Sequence, residues 1–263
     1  MNRQVASLTY TPIKGTSLVR PGSVDVGVGG ITEDRLFHLL DAANGRQVGA
    51  SPKLLPVVTT YRSDTRELAV QVPTGQRARA EIRLGDAVMA KIGWDKDRPV
   101  GSRKVLGPWN CLLSEYLGRQ VVLAQAIRPE GAVDVEPITL VSHASIRRLE
   151  RELQGQPLGT GRFRMNLDLD GLAEHEEDDW YGRRIAIGSA VLRVTGPVPR
   201  CAVTTLNPDT GKRDASTLKA IVRYRAPIPA PGPARPVKVP FGVYARVEQP
   251  GRIEVGDVAE LLD

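Results

Sequence analysis

The residue best suited to chemistry in this sequence is a cysteine in a proline-stiffened segment. Cys201 stands in the run 196–205, GPVPRCAVTT, directly after Arg200. Because Pro197 and Pro199 restrict the backbone, we expect the thiol to be held in a fixed position. A neighbouring guanidinium favours the thiolate, which is the form that attacks electrophiles and binds metal ions. Cys201 is therefore a candidate nucleophile or metal ligand, with a small buried hydrophobe as the plainer alternative.

The second cysteine and the histidines add no metal site to this thiol. Cys111 lies on an apolar helical pattern, so we expect it in the core. His38, His143 and His175 occupy unrelated positions, whereas a structural zinc site needs four closely organised Cys or His ligands. Two cysteines also exclude an iron–sulfur cluster held by four cysteines of this chain. Any metal at Cys201 would therefore bring its other ligands with it.

Cationic and polar residues near the ends of predicted elements could hold an anionic ligand. Arginine forms forked hydrogen bonds with phosphate, lysine supplies a point charge, and a helix N-terminus supplies free backbone N–H groups. The candidates are Lys14, Arg35, Arg162, Arg164, Asn166, and the helix start at Ser142 and His143. Each alone is more simply a surface charge or a structural residue, but together they suit a phosphate-bearing ligand. The sequence contains no Walker A motif and no GxGxxG after a strand, so the common nucleotide sites are not indicated.

Short strands dominate the predicted secondary structure. Runs rich in Val, Leu, Ile and Thr alternate with turn signals at Asn44-Gly45, Thr74-Gly75 and Gly85-Asp86. This spacing indicates an antiparallel sheet or barrel, and no helix separates the runs as a Rossmann sheet requires. The predicted fold class is mainly β, rich in barrel-like sheet, with a few short helices.

Helical spacing of apolar residues occurs in three places. It predicts helices over Trp109–Leu117, over about 144–153 and over Ser216–Tyr224. Gly118 suits the residue that follows the first helix, and Ser142 suits the N-cap of the second.

Three further segments have distinct compositions. Residues 226–240 hold six prolines, which predicts an extended segment that pairs poorly. The acidic run His175–Asp179 is most simply a solvated loop. A soft boundary is predicted near 128–136, and the two halves of the chain could still share one core.

Composition bounds the class of protein. The chain has 263 residues, of which 41% are hydrophobic and 25% charged, and these values exclude wholesale disorder. Aromatic residues make up only 5%, which disfavours a stacking platform for single-stranded nucleic acid. The net charge is +6, and the basic residues are scattered along the chain without a block of five or six like charges. No secretory signal and no bilayer-length apolar run is present. We therefore expect a cytoplasmic protein with reduced thiols that binds neither nucleic acid nor a membrane.

These residues, taken with their neighbours, resemble the MOSC superfamily, which is named for the C-terminal domain of molybdenum cofactor sulfurases. Residues 1–125 are similar to its N-terminal β-barrel-like domain, and residues 126–263 are similar to the MOSC domain itself. The motifs that carry the resemblance are YTPIK (10–14), EDR (33–35), ITLVS (138–142), RFRMN (162–166), PRCAVTT (199–205), NPDTG (207–211), FGVY (241–244) and Gly256-Asp257.

The resemblance implies a molybdenum cofactor, which is a pyranopterin dithiolene with a terminal phosphate. In the amidoxime-reducing branch one protein cysteine ligates molybdenum, and Cys201 matches that position. Soft thiolates suit soft metal centres, and the metal's charge keeps the ligand deprotonated. The residues that match positions around the pterin and its phosphate are Lys14, Arg35, Ser142, Arg164 and Asn166, with His143 and Arg200 beside them as further candidates.

The implied reaction is the two-electron reduction of an N-hydroxylated, or related N- or S-oxygenated, small molecule. Its electrons would come from a separate donor protein or reductase. Two alternatives stay open. In one, Cys201 handles sulfur without molybdenum, as a persulfide carrier or nucleophile. In the other, the chain binds the cofactor or a phosphorylated metabolite and does no chemistry.

The sequence departs from the family pattern in three places around these motifs. Gly15 replaces a common serine and Met165 a common proline. The segment 49–53, GASPK, replaces a basic motif and weakens one expected anion contact.

Overall fold

The computed structural model describes residues 2–92, 98–128, 131–229 and 236–262. Within these ranges the strands are β1 (Gln4–Leu8), β2 (Ser23–Gly27), β3 (Gly30–Ile31), β4 (Phe37–Asp41), β5 (Val58–Arg62), β6 (Glu67–Gln71), β7 (Arg77–Glu81), β8 (Arg83–Ile92), β9 (Arg98–Leu106), β10 (Val121–Ala126), β11 (Ile138–Ser142), β12 (Leu167–Asp170), β13 (Arg184–Ile187), β14 (Ala190–Pro199), β15 (Pro240–Gln249), β16 (Gly251–Glu254) and β17 (Ala259–Leu261). The α-helices of the same ranges are α1 (Trp109–Leu117), α2 (His143–Glu152) and α3 (Thr217–Tyr224), and the 3-10 helices are Thr160–Phe163, Glu176–Trp180 and Ala202–Thr205. The predicted mainly-β fold class is confirmed.

A seven-stranded sheet in the order β1-β12-β11-β15-β14-β13-β17 forms a nearly closed barrel. Its two outer strands meet, because Gln4 bridges Val258 and the Ala259 N–H donates to the Arg3 carbonyl at 2.9 Å. The inward side chains of these strands are fully buried and form one apolar cluster with residues of β2, β3 and β16. The barrel thereby combines strands from the first 31 residues with strands from the second half of the chain.

The strands outside the seven-stranded sheet form three smaller sheets. One is β16-β2-β3, and the other two, β4-β10-β9-β8 and β5-β6-β7, pack around a second core. Trp109 and Leu113 of α1 fill the core that these sheets share with Phe37 and Leu123. Because β1 pairs with β12 and β2 pairs with β16, contacts cross the predicted boundary between 1–125 and 126–263. That division into two domains stays a prediction.

Helix α1 has the predicted bounds, but it does not bury its cysteine. Trp109, Leu113 and Ser114 form the buried side, and Gly118 ends the helix with a left-handed φ of 71°. Cys111 is exposed, so the prediction that it lies in the core is wrong. The reason is angular: two residues at 100° each carry Cys111 to the side of the helix opposite Trp109.

Two strands are longer than their sequence patterns predict. β8 continues through Gly85-Asp86, and the register shift against β9 between Leu84 and Ala87 marks a bulge where a turn was predicted. β14 continues to Pro199 through two further register shifts against β15. Cys201 therefore follows the end of a strand by two residues, and no long loop precedes it.

The acidic run is not a solvated loop, which corrects that prediction. It forms the 3-10 helix Glu176–Trp180, and Glu177 is fully buried. The Glu177 carboxyl accepts hydrogen bonds from the Ser142 N–H at 3.3 Å and the Ser145 hydroxyl at 2.8 Å. Burial raises the pKa of Glu177. This carboxyl thus fixes the start of α2, a role that composition alone does not reveal.

The proline-rich segment is described only in part. Its residues 230–235 lie outside the described residues. Ile228 and Val237, on either side of them, exchange backbone hydrogen bonds of 2.8 and 3.1 Å.

Candidate active site

A cavity of about 460 Å³ opens where the barrel meets the smaller sheets. Five residues predicted for the site line it: Lys14, Arg35, Arg164, Arg200 and Cys201. The predicted site residues Ser142, His143 and Asn166 are outside this lining. Arg162, which the sequence also offers as a candidate, lines the cavity too. Other polar residues in the lining are Gln47, Asp134, Glu136, Thr139, Thr204 and Tyr244.

Cys201 stands at the exposed start of a short 3-10 helix, just after β14. The Arg200 N–H donates to the Val239 carbonyl at 2.9 Å, which ties the end of the strand to its neighbour. The Cys201 carbonyl accepts from the Thr204 N–H at 3.2 Å and the Thr204 hydroxyl at 3.0 Å. The backbone is thus fixed on both sides of the residue while its free thiol is exposed. A fixed, open thiol is what a ligand or a nucleophile requires.

Arg200 uses its guanidinium to hold the chain together. Its Nε and Nη2 donate to the Phe241 carbonyl at 2.8 and 2.6 Å, and its Nη1 donates to the Phe163 carbonyl at 2.9 Å. Burial lowers the pKa of Arg200 to about 10, although Tyr244 and Cys201 nearby act to raise it. These contacts favour a positioning role for Arg200, and its predicted role in cofactor binding stays a prediction.

Arg162 fastens the segment that follows Cys201. Its guanidinium binds both carboxylate oxygens of Asp214, at 2.7 and 3.1 Å, and donates to the Leu206 carbonyl at 2.8 Å. Only 2% of the Arg162 side chain is exposed. Its hydrogen bond holds the pKa of Asp214 below the ordinary value. Arg162 therefore holds residues 204–214 in place from a buried position.

Arg35, Gln47 and Arg164 are a second group of lining residues, which we call the facing wall. The two arginines of this group have unusual backbone geometry. Both have left-handed φ values, 51° and 53°. For a residue other than glycine such a conformation costs about 1–3 kcal/mol and persists where surrounding contacts enforce it, often at functional sites.

Two hydrogen bonds hold the backbone of Arg35, because its N–H donates to the Thr11 carbonyl at 2.7 Å and its carbonyl accepts from the Ala132 N–H at 2.9 Å. Its guanidinium pairs with the buried carboxylate of Asp34, which also accepts from the Thr11 N–H at 2.9 Å. Asn166 donates to the same carboxylate at 3.0 Å, so it orients Arg35 indirectly.

Two buried donors at this wall have no partner among the described residues. Arg164 donates through Nη2 to the Thr16 carbonyl at 2.7 Å, but its Nη1 is buried and unpaired. The Nε2 of Gln47 is also buried and unpaired. Burial, together with the charge of Arg35, lowers the pKa of Arg164 to about 10. Beside them, a Cβ built on Gly49 would meet no atom within 4 Å, so the wall leaves room for a ligand there.

Lys14 lies at the mouth of the cavity with its charge already matched. Its ammonium donates to the Ala132 carbonyl at 2.6 Å and to the Asp134 carboxylate at 2.7 Å. A ligand at this point would meet a lysine–aspartate pair, which attracts an anion less than a single ammonium does.

Tyr244 is a residue of the site that the sequence analysis did not select. It lies on β15 between Thr139 of β11 and Gly196 of β14, so no bulky neighbour on β14 blocks its ring. Burial raises the pKa of its phenol. Asp134 and Cys201 raise this pKa further, whereas Arg200 and Arg35 lower it. The hydroxyl therefore stays protonated at neutral pH and can donate into the cavity. Its place in the FGVY motif was the available signal.

Ser142 and His143 serve the start of α2. The Ser142 hydroxyl accepts from the Ser145 N–H at 3.0 Å as the N-cap, and the residue is fully buried. The Nε2 of His143 is buried and finds no partner among the described residues. Their predicted contact with a cofactor stays a prediction.

The described ranges contain no cluster of three His, Cys, Asp or Glu side chains that could hold a metal ion. A metal at Cys201 therefore needs ligands from outside the described protein groups. None of the helices in these ranges has the length and apolarity that a bilayer crossing requires.

Comparison with protein families decides the relationship. The MOSC domain family matches residues 129–260, which is half of the chain. The chain belongs to the MOSC domain family. The match includes Cys201, Arg164, Arg200 and Tyr244, whereas Lys14, Arg35 and Gln47 precede it, so residues inside and outside the matched range line the same cavity.

The curated relatives of this MOSC protein have names that refer to molybdenum or to amidoximes. Mitochondrial amidoxime-reducing component 1 of Homo sapiens is 33% identical over 147 residues, which cover 53% of this chain and 42% of that protein. Molybdenum cofactor sulfurase of Caenorhabditis briggsae is 25% identical over 272 residues, which cover 98% of this chain and 36% of that protein. This MOSC protein thus spans less than half the length of these relatives. Among solved structures, the YuaD protein of Bacillus subtilis aligns with 99% of this chain and 96% of its own, at a TM-score of 0.47 and 12% identity.

Proposed function

We propose that this MOSC protein is a molybdenum-cofactor oxidoreductase that reduces N-hydroxylated small molecules, with Cys201 as the metal ligand. The observation that carries the proposal is the meeting of two features in one cavity. One is the exposed, backbone-fixed thiol of Cys201. The other is the pair of buried, unpartnered donors on Arg164 and Gln47.

The cavity suits an anionic cofactor that carries its own metal ligands. A buried donor without an acceptor costs about 1–3 kcal/mol, and acceptor oxygens of a bound group would remove that cost at Arg164 and Gln47. A thiolate suits molybdenum, and the dithiolene of the cofactor would provide the ligands that the described protein groups lack. Arg35, paired with Asp34, places a guanidinium beside these donors in the same cavity.

When bound, the cofactor would supply two-electron chemistry that removes oxygen from an N-hydroxylated group and releases water. Cys201 would hold the metal, and Arg200 would keep the end of β14, which leads to Cys201, in place. Arg164 and Gln47 would orient the cofactor through their free donors. Tyr244 holds a proton on its Oη and would donate a hydrogen bond to the oxygen of the substrate.

We propose that the electrons come from a separate donor protein or reductase. The two cysteines of the given sequence cannot by themselves hold a four-cysteine cluster. The cytoplasmic location, like the absence of nucleic-acid and membrane partners, stays a prediction. The names of the amidoxime-reducing relatives place those proteins in mitochondria.

The deciding experiment is metal and pterin analysis of protein from a host that makes the cofactor. The wild type is compared with Cys201→Ala and with Cys111→Ala, a matched control at the other exposed thiol. We expect near-stoichiometric molybdenum and pterin in the wild type and the control, with molybdenum lost from Cys201→Ala. Reduction of benzamidoxime by dithionite-reduced methyl viologen should follow the molybdenum content.

Absence of molybdenum and pterin from all three proteins would contradict the proposal. The sulfur-handling alternative would then gain support, because an exposed thiol can also carry a persulfide and a molybdenum cofactor sulfurase is similar over 98% of the chain. Mass spectrometry of gently purified protein would then be expected to show one added sulfur on Cys201.

The role of Tyr244 has a separate test. Tyr244→Phe removes the donor and keeps the ring, so we expect cofactor content to be unchanged and kcat to fall about 100-fold, as for the loss of a general acid. A kcat equal to that of the wild type would exclude the phenol from the reaction.

A further inference from the structure

The positive charge of the chain is concentrated beside Cys201. Residues 201–239 include seven Lys or Arg and two Asp or Glu, which accounts for five of the six net positive charges of the whole chain. One of the two carboxylates, Asp214, is paired with Arg162, and the arginine Arg225 is buried against Asp178. Among the other charged residues of this segment that the structure describes, five cations and one carboxylate, Asp209, are exposed.

Five of these cations form what we call the basic face: Lys212, Arg213, Lys219, Arg223 and Lys238, all exposed. Their side chains make no ion pair or hydrogen bond with any other residue in the described ranges. Elsewhere on the surface, arginines such as Arg151, Arg193 and Arg252 pair with glutamates. Clustered cations without internal partners repel one another and attract an external negative surface.

The basic face is built on the elements that fix Cys201. Arg213 forms a β-bridge with Leu206, immediately after the 3-10 helix Ala202–Thr205. Helix α3, which carries Lys219 and Arg223, packs against that 3-10 helix through a 2.9 Å hydrogen bond between the hydroxyls of Thr204 and Thr217. These three cations therefore lie within a few residues of groups that contact the Cys201 segment.

Two further residues complete the description of the basic face, the cation Lys238 and the apolar Val222. Lys238 precedes Val239, whose carbonyl accepts the Arg200 N–H at 2.9 Å. Val222 is 57% exposed on α3, three residues after Lys219 and next to Arg223. An apolar side chain within a charged surface is typical of protein–protein contacts.

We propose that the basic face is the docking surface for an acidic electron-donor protein. The inference rests on the proposed function, because that reaction takes two electrons from outside the chain. A donor docked here would lie next to the exposed thiol of Cys201 and hence next to its metal. Charge complementarity would guide the encounter and raise the association rate by about 10- to 1000-fold at low ionic strength.

The test uses a charge reversal with a matched control. The variant Lys219→Glu/Arg223→Glu changes the basic face, and Arg77→Glu/Arg83→Glu makes the same change at exposed arginines on β7 and β8 that do not line the cavity. The probe is a plant-type [2Fe–2S] ferredoxin, an acidic one-electron carrier. Its binding in the oxidised form is measured by calorimetry at several salt concentrations, and its electron transfer in the reduced form is measured by benzamidoxime turnover.

We expect the first variant to bind ferredoxin at least 10-fold more weakly than the wild type and the control at low salt. The difference should shrink as salt screens the charges. Turnover driven by methyl viologen should not fall in any variant. Equal ferredoxin binding by all three proteins, or no binding by the wild type, would overturn the proposal.

The outcomes separate this proposal from the proposed function. Absence of methyl viologen turnover in the wild type would contradict the function, whereas the binding measurement would still decide the docking surface. Two other partners are tested with the same variants, using vesicles of equal parts phosphatidylcholine and phosphatidylserine and a single-stranded oligonucleotide. If charge reversal abolishes binding to either of these and leaves ferredoxin binding intact, the basic face does not serve a protein donor.

Discussion

The two walls of the cavity use arginine in opposite ways. On the Cys201 wall, Arg162 and Arg200 direct their donors to carbonyls and to Asp214, all within the chain. On the facing wall, Arg164 keeps one buried donor unpaired, and Gln47 does the same with its amide. The arginines of the first wall therefore have acceptors within the chain, whereas the buried donors of the second wall would gain acceptors only from a bound ligand.

This difference shows that an arginine close to Cys201 in sequence need not be the one with a free donor for a ligand. Arg200 is adjacent to Cys201 in sequence, yet its contacts stabilise the strand end on which the thiol stands. Arg164 is 37 positions away and has the donor that an anion would use. Which arginine binds a ligand is decided by the donors that remain after the local carbonyls are satisfied.

The largest expected effect is on folding, at Arg162. Arg162→Met leaves Asp214 and three backbone carbonyls, those of Leu158, Thr204 and Leu206, without this donor. We therefore expect the free energy of unfolding to fall by about 3 kcal/mol. Urea denaturation measures the change. Arg147→Met, at an exposed arginine of α2, is the control and should stay within about 0.5 kcal/mol of the wild type. A loss at Arg162 no greater than that of the control would remove the distinction between the walls.

The same variant has a pH signature through Asp214. The pKa of this carboxyl lies below its ordinary value of 3.8, mainly because Arg162 donates to it. Its contribution to stability is thus present above that value and is lost as the pH falls through the lower, folded-state pKa. We expect stability below pH 3.8 to fall less steeply in Arg162→Met than in the wild type, as followed by acid titration of unfolding.

Arg200→Lys tests whether the fork of donors matters more than the charge. Lysine keeps the charge but cannot reach both the Phe163 and Phe241 carbonyls in the same geometry. We expect a loss of about 2 kcal/mol in stability, together with lower molybdenum content in the folded fraction. Full stability with loss of the pterin would instead assign Arg200 to ligand binding.

Arg164→Met should give the reverse pattern. One hydrogen bond to the Thr16 carbonyl is lost, but an unpaired buried charge is removed with it, so we expect stability to change by less than about 1 kcal/mol. Cofactor retention during dialysis should fall at least 10-fold, about 1.4 kcal/mol. Retention equal to that of the wild type would count against the facing wall as the ligand side.

The smallest effect is expected at Gln47. Gln47→Leu removes an unpaired amide, so stability should be unchanged or slightly higher. We expect cofactor retention to fall about 3-fold, because a neutral hydrogen bond contributes roughly half of a charged one. Unchanged retention would leave Arg164 as the main anchor of that wall.

Local patterns in the sequence predict much of the fold. The bounds of α1 follow from its apolar stripe and from Gly118, and α2 follows from the Ser142 cap. The pattern fails where tertiary pairing overrides a turn signal, as at Gly85-Asp86, which β9 holds within a bulged strand. It fails again at Glu177, because no sequence rule shows that Ser142 and Ser145 will supply donors to a buried carboxylate.

The candidate site follows from the sequence only in part. Lys14, Arg35, Arg164, Arg200 and Cys201 all line the cavity. Gln47 was missed because an uncharged amide in a loop gives no signal until its surroundings are known. The contrast between Arg164 and Arg200 was also beyond reach, since it depends on carbonyls at Phe163, Phe241 and Thr16 that other strands and loops bring into place.

The closure of the barrel has a consequence for folding of the chain during its synthesis on the ribosome. Gln4 of β1 pairs with Asp170, a residue made 166 positions later, and bridges Val258 later still. At about 5–20 residues per second, the ribosome delivers the first of these partners roughly 10 to 30 seconds after the strand itself. During that interval β1 has unpaired edges and exposes Val5 and Leu8 to other nascent chains. The strand that completes the barrel is therefore also a segment of the newborn chain that a chaperone would protect.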